Sequence, residues 1–134
     1  MGGAENMANL LFYTKESVGY VHLTSIKIDG KYQYRCLSSK NAQLVVKKLV
    51  RHFKLFAYNF SHRKYPKIIF SPYMRGGGIC YPSNWIIKLS NNPSLAVVVH
   101  EVGHLKVRKH TKKLLKLIGK MLNYCAKNNY WGMC

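Results

Sequence analysis

Carboxylates are scarce in this sequence: four Asp and Glu face 22 Lys and Arg, a formal net charge of +18. Such an excess repels itself in a compact state and raises the local concentration of any polyanion. Hyperthermophile adaptation enriches Glu together with Lys, and that pattern is missing. Nucleic acid, or something bound to it, is therefore the partner to expect ahead of a merely solubilising basic surface or a lysine-rich lineage. Glu101 is the only acid after Asp29, so no downstream carboxylate can complete a metal site.

Other absences narrow the class. The longest apolar runs, 10–13 and 95–99, fall far short of the roughly 20 residues of a membrane span, and no membrane partner is expected. The start lacks the basic segment, apolar stretch and small-residue cleavage site of a secretory signal, and Asn6 breaks a myristoylation start; a cytoplasmic protein is the expectation. Cys36, Cys80, Cys125 and Cys134 form no C-x-x-C pair, unlike a zinc ribbon or a disulfide scaffold. Free thiols are expected, the first three packed inside. There is no internal repeat and no low-complexity linker, and 134 residues suit one domain over 1–134, with 1–8 flexible.

What is present alternates between strand and helix. Segments 18–28 and 31–37 are rich in Tyr, Val, Ile and Thr around Asp29-Gly30, a type I′ turn pair, and predict a β-hairpin over 18–37. Ser38 and Ser39 offer an N-cap to a helix whose Ala42, Val45, Val46, Leu49, Val50, Phe53 and Phe56 recur at helical spacing, with Lys40, Lys47, Lys48, Arg51 and Lys54 on other faces. Three β-prone runs, 67–71, 78–81 and 85–89, are separated by Gly76-Gly77-Gly78 and Pro82-Ser83-Asn84, predicting a small, mainly antiparallel sheet. Asn91-Asn92-Pro93-Ser94 carries a cap residue and a proline suited to a first helical turn, so a helix is expected over about 93–107. A last helix over 111–127 puts Leu114, Ile118, Met121, Leu122 and Cys125 on one face and Lys109, Lys113, Lys116 and Lys120 on another. The fold class is α+β.

The chemistry sits in His100-Glu101-Val-Gly-His104, an H-E-x-x-H on the predicted helix. Residues four apart stand one turn above each other, so both imidazoles can face one ion, with Glu101 one residue round to reach a water without binding the metal. Zinc suits such a pair and keeps an open position in catalytic sites. A third ligand is needed, and with carboxylates excluded His110 is the histidine left on that side. It lies on the wrong face of a continuous helix, so the chain must turn between about Leu105 and Lys109. Gly103 inside the motif lowers helix propensity by about 1 kcal/mol against Ala and signals close packing. His22, His52 and His62 stay outside the site. Tyr81, Arg75 and Tyr124 are candidate donors to an oxyanion, the strand 85–89 could bind substrate as an added strand, and Cys80 or Cys134 could occupy the fourth metal position.

Gly78-Ile-Cys-Tyr-Pro-Ser-Asn-Trp-Ile-Ile-Lys-Leu-Ser90, followed by His100-Glu-Val-Gly-His104-Leu-Lys-Val-Arg-Lys-His110-Thr-Lys-Lys-Leu114, resembles the SprT/YgjP-like and Wss1-like zinc metallopeptidases. The resemblance covers residues 67–125. It implies a minimal zincin-like domain in which His100, His104 and His110 hold zinc and Glu101 is the catalytic glutamate acting on polypeptide. Leu114 and Leu115 stand where YgjP-like proteins carry Phe-Trp, and Val102 replaces the common Leu. The family includes proteases that digest proteins crosslinked to DNA, a role compatible with the +18 charge. Metzincins share the histidine spacing but carry glycine where this chain has Val107. Bacterial ribosomal-RNA maturation metalloproteins carry glycine and aspartate at the places of Glu101 and Lys109. Two rival functions stand beside the peptidase. One is a basic nucleic-acid-binding protein with structural or no zinc, using Lys109, Lys113, Lys116 and Lys120 as its phosphate stripe; the other is a metal-dependent ribonuclease.

Overall fold

A computed structural model of the protein describes residues 10–17, 20–28, 31–33, 37–72, 74 and 77–128, the first three stretches by their backbone path. Those three are strands β1 (Leu10–Ser17), β2 (Tyr20–Ile28) and β3 (Lys31–Gln33), antiparallel and in chain order. Ile28 stands opposite Lys31, so the expected hairpin is there, its two turn residues and the outer parts of its arms, 18–19 and 34–36, lying outside the described residues. The strand β1 is a finding of the structure: the run 10–13 is apolar without alternation, which leaves no period to read. The expected flexibility of 1–8 lies outside the described residues.

Helix α1 (Ser39–His52) starts where Ser38 Oγ accepts the Asn41 N–H at 3.1 Å. It buries Ala42, Val45, Val46, Leu49 and Val50, while Lys40, Lys47 and Arg51 are exposed. The helix stops at Phe53 because Lys54 turns left-handed, at φ 55°. Phe53 and Phe56, expected to extend the apolar face, pack half-buried beyond the helix end.

The second sheet is mixed, which corrects the mainly antiparallel expectation. Strands β4 (Lys67–Ser71), β5 (Gly78–Tyr81) and β6 (Ile86–Ser90) lie in the order β4-β6-β5, with β4 parallel and β5 antiparallel to β6. The chain passes through β5 before inserting β6 in the middle, and the long connection allows the parallel pair. Trp85 sets the register: wholly buried at φ 56°, it donates its Nε1–H to Lys64 O at 3.3 Å, and β6 begins at the next residue.

Ser94, not Pro93, opens helix α2 (Leu95–Gly103): its Oγ accepts the Val97 N–H at 3.2 Å. Pro93 precedes the cap, since Asn92 is left-handed at φ 52° and turns the chain first. The helix ends at Gly103, short of the expected 107. Helix α3 (Lys112–Lys127) buries Leu114, Ile118, Met121, Leu122 and Cys125 as its spacing predicts. A Cβ on Gly103 would stand 3.0 Å from Leu114 Cδ1, so the close packing expected there is with α3. Helix α2 is central, touching α1, α3, β2, β5 and β6. The architecture is mixed α+β, and among the described residues no helix is long and apolar enough to cross a membrane.

Candidate metal centre

Helix α2 carries His100 and His104 one turn apart, and their Nε2 atoms lie 3.0 Å from each other. His110 joins them because the helix breaks. Leu105 and Lys106 bond back to Val102 O and Gly103 O at 3.0 and 3.1 Å, a tight reversal, and buried Leu105 and Val107 anchor it in the core. The loop then returns His110 Nε2 to 3.2 Å from His104 Nε2 and 3.3 Å from His100 Nε2. The break falls at the front of the expected 105–109 window.

The reversal also orients a ring. His104 Nδ1 lies 3.0 Å from Val107 O; a carbonyl only accepts, so Nδ1 carries the proton and Nε2 presents its lone pair to the cluster. Burial lowers the His104 pKa, against backbone bonds at Val107 and Arg108 that raise it, favouring the neutral imidazole a metal needs. Protons cannot satisfy all three edges of a triangle of nitrogens, whereas one central cation can. Nitrogens about 2.0–2.1 Å from a tetrahedral ion are about 3.3–3.4 Å apart, a few tenths of an ångström from the spacing found. The three histidines are close enough to hold one metal ion.

Glu101 lies on the same helix, 6% exposed, and its carboxylate is not part of the donor cluster. Burial pushes its pKa up to about 7. Room for it depends on β5: a Cβ on Gly78 would stand 2.9 Å from Glu101 Cγ. Gly78, Ile79 and Cys80 of β5 form one wall of a cleft over the histidines, Ala96 and Val97 of α2 the other, and Arg108 stands at its margin. Arg108 belongs to none of the motifs in the sequence. Its signal was available, because a reversal that brings His110 back must also carry the residues between the ligands to the cleft.

The remaining candidates divide. Lys109, Lys113, Lys116 and Lys120 are exposed, and none of them lines the cleft, where Arg108 is the one Lys or Arg among the described residues. Tyr81 is exposed, 5.6 Å beneath the Lys88 ammonium, and Tyr124 stacks on His52 near the other end of α3; neither lines the cleft. Arg75, Cys36 and Cys134 lie outside the described residues, as does the side chain of His22. His52 and His62 are exposed and take no part in the cluster. Cys125 is buried as expected, but Cys80 is half-buried in the cleft wall and outside the donor cluster. Burial and then the Glu101 charge push its thiol up to about 12, against the pull of Arg108. The strand expected to receive an added substrate strand, β6, is central with both edges paired; the edge strand over the cleft is β5.

No family model matches the sequence, no curated protein matches it and no solved structure matches the fold.

Proposed function

We propose that the protein is a zinc-dependent metallopeptidase with a minimal zincin-like, SprT-like catalytic unit. One observation carries the reading: three imidazole Nε2 atoms 3.0–3.3 Å apart beside a buried glutamate that stays out of the donor set. Imidazole donors suit zinc, and structural zinc sites are closed by four protein ligands. Among the described residues no fourth donor joins the three, which favours a catalytic ion over a structural one. Zinc held by His100, His104 and His110 would supply Lewis acidity, polarising a substrate carbonyl and bringing the pKa of water to about 7.

The chain's own residues do the rest. Glu101, buried beside the histidines, takes a proton from the attacking water on a carboxylate oxygen and returns it to the leaving nitrogen. Arg108 is the cleft donor that steadies the negative charge forming on the carbonyl oxygen. An extended polypeptide pairs with β5. Ser90 N–H donates to Gly77 O at 2.8 Å, so bonded pairs recur by twos at Ile79–Lys88 and Tyr81–Ile86. Gly78 and Cys80 then turn their N–H and C=O groups to the free edge. The basic surface favours substrates that are themselves associated with nucleic acid.

Glu101→Gln tests the reading. The variant keeps its zinc and loses about 100-fold or more of its turnover of an unfolded protein, whereas retained turnover removes Glu101 from the mechanism. Wild-type protein that cleaves RNA and leaves unfolded protein intact would make it a metal-dependent ribonuclease instead.

A further inference from the structure

A second groove lies between the C-terminal ends of α1 and α3, built from residues the metal centre does not use. Rings form its floor. His52 lies over Tyr124, centroids 4.1 Å apart and planes 29° apart, and Phe53 meets both edge-on at 4.9 and 6.0 Å. His52 is exposed, and Phe53 and Tyr124 are half-buried, so part of this ring cluster faces solvent. Asn123 and Asn128 bring amides to the groove, and Lys120 and Lys127 bring two exposed ammonium groups. Among the described residues no acidic side chain lines it.

We infer that this groove binds single-stranded nucleic acid, a base stacking on the His52–Phe53–Tyr124 cluster while the flanking phosphates meet Lys120 and Lys127. Rings and ammonium groups side by side suit such a strand, because every base offers a π-face and every link a negative charge. The charge pattern of the groove has the same logic. Helix C-termini repel phosphate within their last turn; here Arg51 and His52 end α1 and Lys127 ends α3, offsetting both. The carbonyl ends and the asparagine amides are matched to base edges, which carry donors and acceptors; one amide already has a role, as Asn128 Nδ2–H donates to Tyr124 O at 2.8 Å. Lys113 and Lys116 continue the line of Lys120 and Lys127 along α3 at steps of three, four and seven residues, which keeps them near one face. That line leads back toward the N-terminal end of the helix, which begins two residues after His110. A strand anchored in the groove therefore runs toward the metal cleft, about 20 Å away along α3. The +18 chain supplies the long-range attraction.

The test uses the full chain and a 12-nucleotide single strand carrying one central 2-aminopurine, read by fluorescence and titrated across salt. Wild type quenches the probe as the base stacks. Lys120→Gln with Lys127→Gln lowers the slope of log affinity against log salt by about 1.4, while Lys40→Gln with Lys67→Gln, exposed lysines outside the groove, leaves it nearly unchanged. His52→Ala alters an exposed residue, keeps the fold by circular dichroism, abolishes quenching and weakens binding about five-fold or more. Equal losses for the two lysine pairs would assign binding to diffuse basic surface and overturn the groove. So would quenching that survives His52→Ala, or a polyglutamate peptide that displaces the strand at matched charge.

Discussion

Gly78 shows how one missing side chain sets the chemistry of the cleft. Its absent Cβ leaves space that Glu101 Cγ fills, with Leu89 Cδ2 and Lys88 O closing the other sides at 3.1 and 3.2 Å. Backbone cannot yield as a flexible side chain does, so in Gly78→Ala the glutamate moves. Zinc content should be unchanged and turnover should fall by about 100-fold; full activity would show that Glu101 has slack. Glu101 also leaves a mark on stability in chelator-treated protein. Its folded pKa of about 7 exceeds the ordinary glutamate value of about 4.3, so the folded chain holds the extra proton between those values. Stability should therefore fall as pH rises from about 4.3 to 7, and Glu101→Gln should flatten that dependence. His100, Glu101 and His104 were legible in the sequence because one helical turn aligns them, and His110 because no carboxylate competes for the third place. Gly78 was not, since it acts across a strand whose path no local spacing encodes, and Arg108 was legible only through the reversal that His110 requires.

At the scale of elements, the helices and the positions of β4, β5 and β6 are written in the sequence, and the pairing of those strands is not. Ser38 capping, the apolar face of α1 and the buried face of α3 follow from spacing alone. The β4-β6-β5 order does not, because parallel pairing of β4 with β6 is a long-range choice fixed by the wholly buried Trp85 and its bond to Lys64 O. The α2–α3 contact ties the metal motif to this framework. Gly103 leaves 3.0 Å for Leu114 Cδ1 and 3.5 Å for Ile118 Cγ1, so the branched side chain in Gly103→Val overpacks the contact and should cost about 1–3 kcal/mol, seen as a lower urea midpoint. An unchanged midpoint would mean that α3 is free to move off α2. Ser94→Ala removes the cap of the same helix and should cost about 1 kcal/mol by the same assay.

Across the whole molecule, charge bears on stability, and a metal held by the three histidines would too. A chain with a formal charge of +18 repels itself, so added salt should raise Tm until the repulsion is screened over a few ångströms. That imbalance was plain from composition; the ring cluster beside Lys120 and Lys127 was not, because His52 and Tyr124 come from opposite halves of the chain. A metal ion held by His100, His104 and His110 would close the reversal between α2 and α3, so chelation should lower Tm, by an amount that grows with zinc concentration. The convergence of those three imidazoles is the central claim, and metal content measured on purified wild type beside His110→Ala tests it most directly. Wild type should carry one zinc per chain and His110→Ala should lose most of it; a wild type without zinc, or a variant that keeps its full complement, would contradict the account.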